Sequence, residues 1–347
     1  MLTSECNILK NSYISDGGTR FDVLKLLLAI LIVAMHSGIF PRWLLPLPRL
    51  AVPLFFMMSS YLFFLKQKKA VDSIDKKILL FKYVKRNALL YCFWSVVLLP
   101  SVIVLHQSWF QKGIYYALYC ILKAFFITGF FPASWFILAA CYSTVIVFYL
   151  SKRISNGWLF IIALFVYSFA LLDSNYGGLL NEEVKVFLFK PGIRYSLNIP
   201  AAMIWVVLGK ALADKPLSYS SRLMFVSLMI GLSLYCLEFL IIEHYGLSVH
   251  TDCFIMSVPL CFLIFVALGQ SKDIHSNHAL LYRKSSIIIY CIHLTFIRLI
   301  TLVLSIFHVD LSKGVFFLVT LLICFGVAYL VIYLHEQKGV KVLNYAY

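Results

Sequence analysis

The sequence predicts an all-α, polytopic integral membrane protein with about ten transmembrane helices and both termini in the cytoplasm. Three observations carry that prediction. Of the 347 residues, 62% are hydrophobic and only 13% charged, whereas a soluble domain needs about a quarter charged to cover its surface. The mean hydropathy is +0.91. Apolar runs of near-spanning length recur from one end of the chain to the other.

The first run, 22–40, follows a polar segment, 1–21, that lacks a signal-peptide pattern. No small-residue cleavage site closes the run, so it reads as a retained helix. Further runs lie at 50–65, 88–106, 134–150, 158–173, 198–213, 223–243, 252–269, 286–307 and 314–334. Several fall short of the roughly 20 helical residues that a ~30 Å hydrocarbon core requires. The stretch 113–131, GIYYALYCILKAFFITGFF, is aromatic, carries Lys123 and precedes Pro132. It reads as re-entrant or interfacial, because another full span would invert every later loop.

The basic residues agree with this topology. The formal net charge of +15 does not imply nucleic acid, since Lys and Arg collect in the cytoplasmic loops of membrane proteins. With the N-terminus inside, 21 of the 30 basic residues fall in inside segments, eight fall outside, and Arg298 lies within a span. The longest polar segment, the loop 66–87, is basic rather than low in complexity, and no linker or repeat divides the chain. The reading is one membrane domain, 1–347: a cytoplasmic segment 1–21, transmembrane helices over 22–334 and a cytoplasmic tail 335–347. The nine cysteines sit mostly in apolar stretches without a CxxC pair. They read as small packing residues, with neither a disulfide framework nor a metal site expected.

Ionisable groups inside a membrane are costly and mark function. In RFDVLKLLLAILIVAMHSG, the first helix carries Asp22, Lys25 and His36. Eleven residues from Lys25 to His36 amount to three turns plus about 20°, and Asp22 lies one turn before Lys25, so all three share a face. His36 would be buried about 16 Å deeper than Lys25, past the bilayer midplane, so the three read as a polar path or as an interfacial anchor at Asp22 and Lys25 with His36 bonded to a neighbouring carbonyl. A second group, Lys82, Lys85 and Arg86, opens the third span as flanking charge or as an anion site at the cytoplasmic mouth. A third, in SSIIIYCIHLTFIRL, holds Ser286, Tyr290, His293 and Arg298, with Tyr290 and His293 on one face. It reads as a functional cluster or as an interhelical hydrogen-bonded pair. Trp135 suits an interfacial belt. Glu238 is a buried acid without a local partner, and His250 and Asp252 lie in an outer loop where they could line a site.

A neutral imidazole is a suitable general base for a hydroxyl, and a basic cytoplasmic mouth suits a phosphorylated donor. The combination points to group transfer between a cytoplasmic donor and an acceptor reached within or across the membrane.

Arg20-x-Asp22-x-x-Lys25, followed by ten residues and His36, resembles the signature of the acyltransferase 3 family of membrane acyltransferases. KRNALLYCFW in the third span, ASWFI in the fourth and SIIIYCIH in the ninth are similar, in order, to further family segments. The resemblance covers nearly the whole chain. It implies an acetyl-CoA-dependent O-acetyltransferase of the cell (inner) membrane, acting on a sugar hydroxyl of an envelope glycan or a polyprenyl-linked precursor. His36 would be its essential histidine, acting as base or acyl relay, with Asp22 also a candidate catalytic residue. Lys25, Lys82, Lys85 and Arg86 would hold the acyl-CoA. Arg86 matches the second arginine of the family's Arg-x-x-Arg feature, while Tyr83 stands where the first would be, and the proline common early in that helix is replaced by Leu90–Tyr91. Tyr290, His293 and Ser286 form a further candidate site. The competing reading is a lipid-linked glycan flippase or other transporter; a purely structural subunit fits the first-helix triad poorly.

Overall fold

The computed structural model describes residues 18–190, 192–271 and 276–347; Cys6, Lys10, Lys272 and nearly all of the segment 1–21 lie outside the described residues. Among the described residues every regular element is helical. Eleven helices have ten residues or more: α1 Thr19–His36, α2 Ala51–Lys69, α3 Ser73–Val97, α4 Ile114–Lys123, α5 Trp135–Leu150, α6 Asn156–Leu172, α7 Ile199–Asp214, α8 Ser221–His244, α9 Ser257–Gln270, α10 Ala279–Ile306 and α11 Lys313–Glu336.

Nine of the ten predicted runs fall on one of these helices each, 88–106 divides between α3 and the short helix Leu99–Leu105, and 113–131 falls on α4 and its wide-turn continuation Ala124–Thr128. Two elements begin well before their predicted runs. α3 starts at Ser73 rather than 88, so most of the expected 66–87 loop is helix, and Lys82, Lys85 and Arg86 ride on it. Their long side chains favour helix and tolerate exposure; polarity alone had suggested a loop. α10 likewise starts at Ala279.

Among the described residues, four helices are long and apolar enough to cross a membrane: Arg42–Lys69, α8, α10 and α11. A fifth arises if α3 and Leu99–Leu105 form one span, bent by 64°. The bend falls where Pro100 can neither donate a backbone hydrogen bond nor fit against the preceding turn. Shorter apolar helices, Ile114–Thr128, α5, α6 and α9, run 10–17 residues. The described residues thus form an all-helical membrane protein with four to five candidate full-length spans by length and composition. Exposed apolar residues such as Leu237, Leu240, Leu318 and Leu322 on α8 and α11 suit a lipid environment.

The chain divides into two compact units, interleaved in sequence. The first comprises 1–22, 52–80 and 142–276. Its centre is α7, buried on every side from Ala201 to Lys210, as a helix apolar all round should be. Tyr167 of α6 meets Trp205 of α7 edge-on, at 5.7 Å between centroids. Lys210 is buried but pairs with Asp214 at 2.5 Å and donates to Asn156 at 2.8 Å, so its charge is compensated. Phe21, at the start of α1, is fully buried and stacks on Phe265 at 5.5 Å. One set of loops is knitted by side chains. Ser174 Oγ donates to the His250 carbonyl at 2.8 Å, Asn175 to the Cys253 carbonyl at 2.6 Å, and Arg194 pairs with Asp252. Asp252 and the His250 backbone therefore hold these loops together.

The second unit comprises 23–51, 81–141 and 277–347. α10 and α11 pack along each other, and Lys284 binds Glu336 at 2.5 Å. The tail folds back on this unit. Ala346 is fully buried, and its carbonyl accepts the Trp94 indole N–H at 3.0 Å. The segment after α4 is held by Tyr91 of α3, whose hydroxyl donates to the Phe125 carbonyl at 2.8 Å and accepts from the Phe130 N–H at 3.1 Å. The eight described cysteines are all free thiols.

Candidate functional site

The predicted common face of Asp22, Lys25 and His36 requires an unbroken helix, and α1 runs without a break from Thr19 to His36. Asp22 is 1% exposed and Lys25 half-buried. His36 departs from expectation. It is exposed, not buried. The physical reason is its position: it is the last residue of α1, where the chain turns through Ser37 and Gly38, the latter at φ +71°. α1 also holds Asp22 and His36 apart by fourteen residues, about 21 Å of rise. The fold does not bring these two together at one reacting centre.

Nor is His36 isolated. The ring of His293, from α10, stands 5.4 Å away, centroid to centroid, tilted by 39°. His293 is fully buried. Its Nδ1 lies 2.8 Å from the Tyr290 carbonyl one turn earlier. A carbonyl only accepts, so Nδ1 carries the hydrogen and Nε2 presents a bare lone pair. That Nε2 is buried without a hydrogen-bond partner, which costs roughly 1–3 kcal/mol. Tyr290 is fixed in turn: its hydroxyl donates to the Ala133 carbonyl at 3.2 Å and its ring meets Phe136 at 5.3 Å. The segment leading into α5 thereby anchors the turn of α10 that carries His293. Ser286 is not part of this cluster. It lies two turns earlier on α10, and its hydroxyl donates to the Arg283 carbonyl at 2.8 Å.

The electrostatics around His36 are one-sided. Arg49, from the short helix Pro46–Arg49, and Arg298, further along α10, both lie within electrostatic reach of its ring. Segments 23–51 and 81–141 contain no Asp or Glu. The whole second unit sets fourteen Lys and Arg against two acids, Asp310 and Glu336. Such a field favours negative charge developing beside the imidazole, as on the oxygen of a tetrahedral acyl-transfer intermediate.

Lys82, Lys85 and Arg86 are exposed along α3, and Arg86 comes within electrostatic reach of Arg283 at the start of α10. Two guanidiniums so placed repel each other and together attract a phosphate. Neither Arg49 nor Arg283 is singled out by the sequence. Their roles depend on tertiary proximity, for which the chain carries no local signal; the dearth of acids in 23–51 and 81–141 was legible.

A family model described as an acyltransferase domain matches residues 19–335, nearly the whole chain. The chain therefore belongs to the acyltransferase 3 family. It is also 26% identical over 270 residues to an amino-acid racemase of Enterococcus faecalis. That match takes in 72% of this chain and 36% of the relative, so the chain spans about a third of that protein's length. The racemase name belongs to a protein most of which lies outside the match. No solved structure matches the chain.

Proposed function

We propose that this acyltransferase moves an acetyl group from cytoplasmic acetyl-CoA to a sugar hydroxyl of a cell-surface polysaccharide or its polyprenyl-linked precursor, in the inner membrane, with both termini cytoplasmic and about ten crossings. The observation that carries this reading is His36: an exposed imidazole at the end of the motif helix of an acyltransferase-family chain, in a field of arginines. An accessible imidazole within reach of the acceptor hydroxyl can take its proton. Nearby guanidiniums stabilise the oxyanion formed when the hydroxyl oxygen attacks the thioester carbonyl. The carbon–sulfur bond then breaks, and the thiolate of CoA recovers the proton from His36. Arg86 and Arg283, with Lys82, Lys85 and Lys25, supply the positive charge that a CoA diphosphate requires. The match of all ten apolar runs to helices supports the topology, as does the bias of Lys and Arg toward inside segments.

The test uses purified protein in lipid nanodiscs with radiolabelled acetyl-CoA and a total envelope glycan fraction. Label should pass to glycan in the wild type and fall to background in His36→Ala. Wild-type protein that transfers no label from any acyl-CoA sinks the proposal.

A further inference from the structure

His293 makes the site more than a lone base. Its imidazole is fully buried, its Nδ1 hydrogen is committed to the Tyr290 carbonyl at 2.8 Å, and its Nε2 lone pair has no partner while the His36 ring stands 5.4 Å off. Ring centroids at that spacing bring facing nitrogens to about 3 Å, inside hydrogen-bond range. The exposed His36 ring needs only a turn about its side-chain torsions to point an N–H at Nε2.

We propose that His293 is a positioning residue for the transfer: its bare Nε2 accepts the N–H of His36. This rests on His36 acting as the base. The bond fixes the tautomer of His36, leaving its other nitrogen as the lone pair that meets the acceptor hydroxyl. When His36 takes the hydroxyl proton, both its nitrogens carry hydrogen, and Nε2 of His293 holds one of them. When the thiolate leaves, the proton passes from His36 to sulfur and the pair returns to its starting state. Tyr290 acts one step further out. Its carbonyl decides which nitrogen of His293 is bare, and its hydroxyl bond to Ala133 holds that carbonyl in place. A neutral acceptor beside the base keeps the site free of negative charge, which would cancel the arginine field around the developing oxyanion.

Two isosteres separate this role from simple packing. In His293→Gln an amide oxygen takes the place of Nε2, so an acceptor still faces His36. In His293→Asn the amide lies at the Nδ1 position, keeping the Tyr290 contact and losing the acceptor. Transfer from acetyl-CoA is measured for both in nanodiscs, alongside His36→Ala and the double variant His36→Ala/His293→Asn. The expected result is kcat within about 5-fold of wild type for Gln and roughly 10- to 100-fold lower for Asn, with KM for acetyl-CoA unchanged. The double variant should be no slower than His36→Ala alone, because residues acting as a unit are not additive. Histidine-labelled wild-type protein, read by nitrogen NMR, should show His293 protonated at Nδ1 and bare at Nε2, a measurement independent of how the variants fold. Equal rates for Asn and wild type, or a hydrogen on Nε2, overturn the proposal. A dead His36→Ala with a fully active His293→Asn overturns this inference alone, whereas absence of transfer by wild type overturns it together with the acetyltransferase reading.

Discussion

Glu238 of α8 receives the hydroxyl of Tyr176 and, through its two carboxyl oxygens, the backbone N–H groups of Ile255 at 2.6 Å and Met256 at 2.7 Å. An acid at 9% exposure that accepts three hydrogen bonds is a latch, tying the loop before α9 and the turn after α6 to α8. Glu238→Ala should therefore destabilise the protein by about 1–3 kcal/mol, since it strands two backbone donors and a phenol. Glu238→Gln keeps one acceptor oxygen and should cost less. Thermal unfolding in detergent reads both values. The fraction that stays folded should transfer acyl groups at the wild-type rate; a folded Glu238→Gln that has lost activity would instead place this acid in the chemistry.

Close helix approach sets the second expectation. A Cβ added to Gly209 of α7 would lie 2.0 Å from Ser60 Oγ and 2.6 Å from the Met57 carbonyl of α2. Small residues allow such approach between membrane helices. Gly209→Ala must push α2 and α7 apart, at a cost of about 1–3 kcal/mol or more. Ser60→Ala removes only the hydroxyl and leaves the Met57 carbonyl in the way. The Ser60→Ala/Gly209→Ala pair should recover only part of the lost melting temperature, and full recovery would mean that backbone crowding plays no part.

How much of this was legible in the chain follows from the range over which each signal acts. Hydrophobic runs are local, so all ten appeared as helices, while the charged heads of α3 and α10 were missed because polarity resembles a loop until helix propensity is weighed. The Asp22–Lys25–His36 spacing is also local and placed three residues on one helix, but it could not show that α1 ends at His36 and leaves that ring exposed. Glu238 had no sequence-local partner because its partners lie 62, 17 and 18 residues away. The adjacency of His36 and His293 is of the same kind: two motifs read separately, joined only by the packing of α1 and α10.

Arg86 and Arg283 give the sharpest expectation for donor use. They sit on α3 and α10 within electrostatic reach of each other, while the neighbouring Lys284 is already committed to Glu336 at 2.5 Å. A phosphate placed between two guanidiniums relieves their repulsion and gains bidentate contacts that an ammonium cannot copy. Arg86→Gln and Arg283→Gln should each raise KM for acetyl-CoA about 10-fold with kcat little changed, because contacts far from the reacting carbon stabilise ground and transition states alike. Arg86→Lys should restore only part of the loss. Acetyl-pantetheine, which lacks the nucleotide and its diphosphate, should be used equally poorly by wild type and by both Gln variants. Variants whose KM for acetyl-CoA matches wild type, or that discriminate equally against the truncated donor, would move the phosphate site away from these two arginines.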